Sequence, residues 1–407
     1  MSSSLPFSLL LLGGLGLVSC ARPQVSTPTR SVVIEALKQQ PDVALASEVP
    51  LEKREYGPGK PYAVPTLTPY AGPRKPLKNI ILLIGDGMGP AQVTGGLIAN
   101  RGQLYLQQAQ ATGLSITANQ YGKITDSAAS ATAMATGHKT YNGAIGMDSL
   151  GHSFRSIMWD ARAQGKSTGL VVACELPDAT PACFAVNHPN RQDLEIIASK
   201  FLEAPIDFMY GGGLKFFTQR QDQVDLLAQW RAKGYQVATT PQQARALTSP
   251  KAVALLADNG PTRMPARTAA YMELGFDKAL ELLGKNEKGF FLMVEGSQID
   301  DAGHFNDTSY NVQEVLDFDQ QVGKAFRFAA QNGETLVIVT ADHETGGYSV
   351  VGGSSQTGKV SGRFTTTHHS AVVVPVFAYG NGSELFTGLY ENTEIYHRLK
   401  QVMSPHN

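Results

Sequence analysis

Cysteine is scarce in this sequence. The 407 residues contain three cysteines, at positions 20, 174 and 183. This number is too small for a disulfide framework of the kind that holds small secreted domains together. In an exported protein Cys174 and Cys183 are open to oxidation, and two small buried thiols fit the sequence equally well.

The sequence also has no large excess of positive or negative charge. Charged residues make up 17% of the chain, the formal net charge is −1, and no long basic run occurs. Nucleic-acid recognition therefore has no electrostatic footprint in this sequence. The hydrophobic content of 42% is typical of a soluble globular protein, and the length is sufficient for one large α/β domain or two smaller ones.

Long apolar runs are limited to the N-terminus. Leu5–Val18 is almost wholly apolar, but a bilayer span needs about 20 residues. Residues 1–20 are therefore predicted to be an export signal, and Leu17–Cys20 resembles the lipobox of bacterial lipoproteins, although no Lys or Arg precedes the apolar run. We expect a periplasmic or cell-surface protein whose membrane contact is limited to a possible lipid anchor at Cys20.

Residues 21–78 are predicted to form a tether followed by a proline-rich arm. Seven prolines lie between positions 50 and 76, which exclude a regular helix and favour extended chain. Tyr56, Tyr62 and Tyr70 offer rings that would pack on the domain or on a second subunit. A solvated linker is the expected role for most of this segment.

From residue 79 the pattern changes to an alternation of strands and helices. Apolar runs of strand length occur at 79–85, 168–174, 206–210, 290–294, 335–340 and 372–379, and such runs without polar alternation indicate strands covered on both faces. Amphipathic helical spacing separates them. The prediction is an α/β fold, a three-layer α/β/α sandwich with a mostly parallel central sheet over residues 79–401, with 205–275 as a small peripheral insertion.

Polar side chains follow several of these strands. Asp86 follows the first strand, Glu295 follows the strand at 290, and Asp342 and His343 follow the strand at 335. Ligands in open parallel sheets bind beyond the carboxyl ends of the strands. A single carboxylate at such a position is usually a helix cap, but the repetition indicates a site.

An alanine-rich stretch, Ala128–Ala135, predicts a helix that begins near Asp126 or Ser127. Ser127 would then lie at a helix N-terminus, where free N–H groups favour an anion such as a phosphate or sulfate ester. The alternative is that Asp126 and Ser127 only cap a buried helix.

Carboxylates and imidazoles recur together in the C-terminal half. The pairs are Asp300 with His304 and Asp342 with His343, and a third island holds His368 and His369. Mixed carboxylate and imidazole ligands suit Zn²⁺, whereas all-oxygen sites suit Mg²⁺. The pattern indicates a site for several metals.

Six segments together resemble the alkaline phosphatase family and occur in that family's order. They are IGDGMG (84–89), TDSAASATAMATG (125–137), DATPA (178–182), EGSQID (295–300) with His304, TADHETGG (340–347) and HHSAVVVPVFAYG (368–380). The resemblance implies a bacterial Zn/Mg-dependent phosphomonoesterase, with two Zn²⁺ and one Mg²⁺, that forms a covalent phosphoserine on Ser127. It also suggests a homodimer and small phosphorylated substrates.

The same resemblance assigns roles to individual residues. The first zinc would be held by Asp300, His304 and His369, the second by Asp86, Asp342 and His343, and the magnesium by Asp86, Thr180 and Glu295. Arg191 resembles the arginine that grips the phosphate, with a planar fork that matches two oxygens; a surface salt bridge to Asp193 is its alternative. His368 is expected to be a neighbour of the site and His138 to be structural.

Two further carboxylates would tune the site. Asp178 is expected to act on the third metal through water, a pattern that favours octahedral Mg²⁺. Asp301 stands where relatives often carry Lys, His or Trp, and the lack of a cation there predicts weaker phosphate binding. The open alternatives are a sulfatase or phosphodiesterase with the same metal core, and a catalytically inactive surface lipoprotein.

Overall fold

The computed structural model describes residues 50, 53–73, 75–268 and 270–404. The predicted export signal, the lipidation site Cys20 and the predicted tether up to residue 49 lie outside these residues. Within the described part, no helix combines the length and the apolar character that a membrane span requires.

The elements alternate along the chain. The strands are β1 (Glu55–Tyr56), β2 (Asn79–Gly85), β3 (Ala111–Ile116), β4 (Ser167–Glu175), β5 (Phe208–Gly212), β6 (Gln236–Ala238), β7 (Ala252–Leu255), β8 (Phe290–Gly296), β9 (Thr335–Thr340), β10 (Glu344–Thr345), β11 (Ser349–Ser354), β12 (Lys359–Arg363), β13 (His369–Ser370), β14 (Val374–Gly380) and β15 (Gly388–Glu391). The α-helices are α1 (Pro90–Ala99), α2 (Ser127–Thr136), α3 (Ile157–Ala163), α4 (Ala179–Ala185), α5 (Leu194–Lys200), α6 (Lys215–Thr218), α7 (Leu226–Ala232), α8 (Pro241–Arg245), α9 (Ala270–Leu283), α10 (Gln298–His304), α11 (Thr308–Asn332) and α12 (Thr393–Met403). Short 3-10 helices span Tyr105–Gln108, Phe201–Glu203 and Ser383–Phe386.

A ten-stranded sheet forms the middle layer, in the order β15-β3-β14-β9-β2-β8-β4-β5-β7-β6. The seven strands from β9 to β6 all pair in parallel. The predicted strand near residue 372 is β14, and it runs antiparallel to both of its neighbours. The sheet is therefore mixed but mostly parallel, as the sequence predicts.

Two hydrophobic cores lie on opposite faces of this sheet. Along β2, Ile80, Leu82 and Ile84 belong to one core, whereas Ile81 and Leu83 belong to the other. Helices α2, α3, α4 and α12 contribute to the first core, and α9 and α11 contribute to the second. This alternation is the pattern of a strand covered on both faces, and it gives the predicted α/β/α sandwich.

The prediction that residues 205–275 form a peripheral insertion is wrong. This segment supplies β5, β7 and β6, which extend the parallel sheet beyond β4 to its edge. The sequence shows the run at 206–210 that corresponds to β5, but β6 and β7 have only three and four residues and do not stand out from their surroundings. The segment is part of the domain core.

The solvated-linker interpretation of the arm is also wrong for residues 53–73. Strand β1 pairs antiparallel with β12. Farther along, the Tyr62 hydroxyl donates to Asp319 Oδ2 at 2.6 Å, and the Tyr62 ring lies parallel to that of Tyr105, with the centroids 6.2 Å apart. The arm is therefore fixed to the surface of α11 and its neighbours.

The two described cysteines are both free and buried. Cys183 Sγ lies 3.2 Å from the carbonyl oxygen of Ala128, and Cys174 Sγ lies 3.5 Å from Glu295 Oε2. Of the two alternatives left by the sequence, the structure therefore has the buried thiols.

Candidate active site

Ser127 is the first residue of α2. Asp126 is the N-cap, and its carboxylate accepts a hydrogen bond from Ala129 N at 2.9 Å. The alanine-rich sequence favours the helix, and Gly137 ends it in the left-handed conformation (φ 76°). Ser127 is buried, and its Oγ lies 3.3 Å from His343 Nε2.

The polar residues at the ends of three strands lie close together because those strands are neighbours in the sheet. Strands β9, β2 and β8 are adjacent and parallel, so their carboxyl ends lie along one edge of the sheet. Asp86 follows β2, Glu295 is near the end of β8, and Asp342 and His343 follow β9.

One cluster of possible ligands contains Asp86, Asp342 and His343, all buried, with ligand atoms within 4.8 Å of one another. His343 Nε2 lies 3.1 Å from Asp342 Oδ2 and 3.5 Å from Asp86 Oδ1. Asp342 Oδ1 accepts from the backbone N–H of Gly87 at 3.1 Å and thereby holds its carboxylate in place.

A second cluster contains Asp300, His304 and His369, again within 4.8 Å. Asp300 and His304 are one turn apart on α10, with Oδ2 and Nε2 separated by 3.2 Å. The Nδ1 atoms of His304 and His369 lie 2.6 and 2.8 Å from the carbonyl oxygens of Thr367 and Thr125. These contacts fix both rings with Nε2 directed toward Asp300, where it could bind a metal.

The two clusters adjoin. The rings of His343 and His369 stack with centroids 3.5 Å apart, and His343 Nδ1 lies 4.0 Å from Asp300 Oδ1. The sequence interpretation missed Thr345, whose hydroxyl donates to Asp300 and lies 3.2 Å from His343 Nδ1. The position of Thr345 close to Asp342 and His343 in the segment TADHETGG is the sequence feature that indicates its place in the site.

Glu295 and Thr180 are both buried, and Glu295 is close enough to Asp86 for its charge to raise the pKa of that carboxyl. Thr180 lies in the first turn of α4, and its Oγ1 has no hydrogen-bond partner among the described residues. The same is true of Asp86 Oδ1. Buried oxygens without partners are costly, and oxygen donors of this kind fit metal cations.

The pKa shifts of the buried carboxylates also support a cation-binding site. Burial raises the pKa of Asp86, with a further increase from the charges of Asp342, Asp300 and Glu295. Burial, together with Asp178 and Asp342, raises the pKa of Glu295 to about 8. Carboxylates that resist ionisation because they crowd one another are stabilised by a bound cation.

The histidines of the second cluster differ from one another. Burial and the neighbouring His343 lower the pKa of His369 to about 4, so its ring is neutral and suited to ligation. Burial also opposes protonation of His304, but the adjacent Asp300 outweighs it and raises the pKa to about 9. A metal there would displace that proton.

Arg191 lies beside Asp126, the N-cap of α2. Its Nη1 donates to Asp126 Oδ2 at 3.3 Å and its Nη2 to Asp178 Oδ1 at 3.1 Å. The alternative salt bridge to Asp193 is wrong, because that carboxylate lies 2.8 Å from His188 Nε2. The sequence analysis gives Asp126 only a capping role. Its position next to Ser127 is the sequence feature that indicates a further role in the site.

The remaining predicted residues lie around this site. Asp178 is the N-cap of α4. Asp301 lies on α10 at the rim, where burial and the charges of Asp300 and Asp178 raise its pKa to about 7. The ring of His368 stands edge-on to that of His304 at 6.5 Å, outside both ligand clusters, and His138 stacks on Phe154 at 4.4 Å.

The family model described as alkaline phosphatase matches residues 77–363. Alkaline phosphatase 4 of Bacillus subtilis is 32% identical over 78% of this chain and 87% of its own length. The alkaline phosphatase of Escherichia coli is 32% identical over 81% of this chain and 86% of its own length.

Solved structures give the same result. The alkaline phosphatase from the Antarctic bacterium TAB5 superposes with a TM-score of 0.76 at 38% identity, covering 81% of this chain and 99% of that one. The Thermus thermophilus alkaline phosphatase, at 23% identity and a TM-score of 0.75, shares the fold. The segments that resemble the family are also those that build the site, and the chain therefore belongs to the alkaline phosphatase family, whose activity is the hydrolysis of phosphate monoesters.

Proposed function

We propose that this protein hydrolyses phosphate monoesters through a covalent phosphoserine on Ser127. The observation that carries this proposal is the position of Ser127 Oγ, at a helix N-terminus and 3.3 Å from His343 Nε2. A free hydroxyl is a weak nucleophile at neutral pH and needs such a setting to react.

Two Zn²⁺ and one Mg²⁺ are the metals that we assign to this site. The first zinc would be held by Asp300, His304 and His369, the second by Asp86, Asp342 and His343, and the magnesium by Asp86, Thr180 and Glu295. Support comes from the donor types and the unpartnered buried oxygens. A solved variant of the TAB5 enzyme carries Mg in its M3 site.

When bound, such metals lower the pKa of a coordinated hydroxyl or water and offset negative charge on the phosphoryl group. The chain itself positions the reactants. Arg191 presents two N–H groups to the phosphate, and it is oriented by Asp126 and Asp178. The N-terminus of α2 adds backbone N–H groups near the same oxygens.

The reaction then has two displacements. In the first, the Ser127 hydroxyl gives up its proton to solvent, Oγ forms a bond to phosphorus while the ester P–O bond breaks, and the leaving alkoxide takes a proton from solvent to become the alcohol. In the second, water gives up a proton and forms the new P–O bond, the Ser127 ester bond breaks, and Ser127 Oγ regains a proton as inorganic phosphate is released. No other residue of the site forms or breaks a covalent bond in either step.

We also propose the cellular setting that the sequence suggests. The protein would be exported to the periplasm or cell surface, with a possible lipid anchor at Cys20, and would act as a homodimer. The apolar run Leu5–Val18 supports export, and membership of the family supports the dimer.

The test pairs metal analysis with phosphatase assays of wild type and Ser127→Ala. We expect about two zincs and one magnesium per chain, turnover of p-nitrophenyl phosphate by the wild type, and loss of turnover in the variant with its metals retained. Faster turnover of bis-p-nitrophenyl phosphate or p-nitrophenyl sulfate would instead indicate a phosphodiesterase or a sulfatase. No turnover of any ester by the fully metallated wild type would indicate an inactive binding protein.

A further inference from the structure

We propose that Phe305 is a specificity-determining residue, a stacking surface for planar aromatic leaving groups, and that Lys53 of the arm holds it in place. This inference rests on the proposed function. It adds a substrate class, aryl phosphate monoesters, and a contact made by a part of the chain outside the metal clusters.

Phe305 directly follows the ligand candidate His304. The backbone keeps helical geometry through Phe305 (φ −78°, ψ −5°), and its N–H donates to Asp301 O at 2.9 Å. Residues four apart lie on one helix face. One face of α10 therefore carries Asp300 and His304 toward the metal cluster, and the adjoining face carries Asp301 and Phe305.

The direction of the reaction places the leaving group on this side. Ser127 Oγ lies beside His343, in the cluster with Asp86 and Asp342. In an in-line displacement the leaving oxygen departs on the side of phosphorus opposite the nucleophile. That side faces the cluster of Asp300, His304 and His369, and Phe305 is the residue that follows His304 at the end of the same helix.

Exposure alone does not distinguish Phe305, because isolated exposed apolar residues are common. The residue is 57% exposed, but its backbone and the space over its ring are both contacted. Lys53 Nζ donates to Phe305 O at 3.2 Å and lies 5.8 Å from the ring centroid, within the range of a cation–π contact.

The turn after the ring is also fixed. Asn306 adopts a left-handed conformation (φ 51°), and Asp307 N donates to Ala302 O at 3.0 Å. A ring held by backbone contacts loses little entropy when a ligand stacks on it. Stacking of two aromatic rings corresponds to roughly a 3- to 10-fold gain in binding.

The test compares an aryl with an alkyl substrate within each enzyme. The quantity is the ratio of kcat/KM for naphthyl phosphate to kcat/KM for glycerol phosphate, which cancels changes common to both. We expect Phe305→Ala to lower this ratio about 3- to 10-fold, Phe305→Tyr to retain it and Lys53→Ala to lower it about twofold. Leu389→Ala, at an equally exposed apolar residue on edge strand β15 (61%), is the matched control and should leave it unchanged.

A binding measurement checks the same contact without turnover. In a Ser127→Ala background, calorimetry with phenylphosphonate and methylphosphonate should show the phenyl preference fall by a similar factor when Phe305 becomes Ala. An unchanged ratio and an unchanged preference would overturn the subsite while the phosphatase activity stands. An unchanged ratio in Lys53→Ala would overturn the part given to the arm. Absence of turnover in the wild type would overturn the proposed function itself.

Discussion

At the scale of single residues, two oxygens of the candidate metal site are in an environment that is unfavourable without a bound ligand. Asp86 Oδ1 and Thr180 Oγ1 are buried without hydrogen-bond partners among the described residues. Such groups lower the stability of the protein unless something else satisfies them. These residues therefore favour the binding of a ligand at the expense of the stability of the ligand-free protein.

The substitution Thr180→Val tests this at one atom. Valine has the same shape as threonine but no hydroxyl, so it removes an unpaired buried oxygen. We expect the chelated variant to be more stable than the chelated wild type by about 1 kcal/mol, in a thermal unfolding experiment. Metal analysis of the same variant should show a loss of magnesium with zinc retained. A destabilised chelated variant with full magnesium would contradict the assignment of Thr180.

A second residue prediction concerns Asp301. Its carboxylate lies at the rim beside Asp300 and repels a phosphate dianion when it is ionised. We expect Asp301→Lys to lower the inhibition constant for inorganic phosphate about tenfold, because a repulsion becomes an attraction, and Asp301→Asn to give an intermediate value. Steady-state inhibition by phosphate measures both. If Asp301→Lys leaves the inhibition constant unchanged, Asp301 does not tune product binding.

Residue identities in the site were predictable to different degrees. The carboxylate and imidazole positions could be found from the sequence because they form short islands at strand ends. The sequence also places Asp126 beside Ser127 and Thr345 near His343, but it does not give their contacts with Arg191 and Asp300, because those partners are distant in the sequence and only the tertiary fold joins them.

At the scale of elements, helix α11 connects the arm to the sheet. Asp319 is fully buried on this helix and accepts hydrogen bonds from the Tyr62 hydroxyl and from the backbone N–H groups of Tyr105 and Leu106. One carboxylate thus joins the arm, a 3-10 helix and α11. The arm is therefore a structural part of the domain.

Tyr62→Phe measures the strength of this connection. The substitution keeps the ring but removes the hydroxyl that donates to Asp319 at 2.6 Å. We expect a loss of about 1–2 kcal/mol in the free energy of unfolding in urea. Tyr121→Phe, at a half-exposed tyrosine, is the matched control and should change stability little. Equal stability of Tyr62→Phe and wild type would favour the original view of the arm as a solvated linker.

The pH dependence of stability gives a second test of this connection. Burial raises the pKa of Asp319 to about 6, although its hydrogen bonds favour the charged form. A raised carboxyl pKa means that the folded state holds the proton more tightly, so the contribution is complete below pH 4 and is lost as the pH rises to about 6. The expected loss is about 3 kcal/mol.

Asp319→Asn should remove this dependence. The measurement is the change in unfolding free energy between pH 4 and pH 7 in a chelating buffer, compared between variant and wild type. The difference of slopes isolates Asp319 from other titrating groups, whatever the variant's absolute stability. Identical pH profiles would show that Asp319 does not titrate in this range.

The elements also show where sequence patterns are informative. The long apolar runs predict β2 and β9 with the observed bounds, because strands buried on both faces have no polar interruption. Within 205–275 the sequence indicates β5 but not β6 and β7, because strands of three and four residues are too short to form a recognisable apolar run. The direction of β14 depends on strand pairing and cannot be predicted from its own residues.

At the scale of the whole molecule, the parallel sheet brings the chemistry together. Strands β9, β2 and β8 end at one edge, and two cores on opposite faces hold that edge rigidly. Side chains separated by more than two hundred residues, such as Asp86 and His343, thereby lie close together, with Asp86 Oδ1 and His343 Nε2 3.5 Å apart. The fold class was predictable from the alternation of strands and helices, whereas this closeness required the tertiary structure.

The central claim is that Ser127 carries the phosphoryl group during turnover. Its most direct test is acid quenching of the metallated wild type during hydrolysis of p-nitrophenyl phosphate, followed by mass spectrometry of the peptide that contains residues 122–139. We predict one phosphate on Ser127 in the wild type and none in Ser127→Ala. Rapid turnover with no trapped phosphate, or a phosphate on another residue, would contradict the proposal.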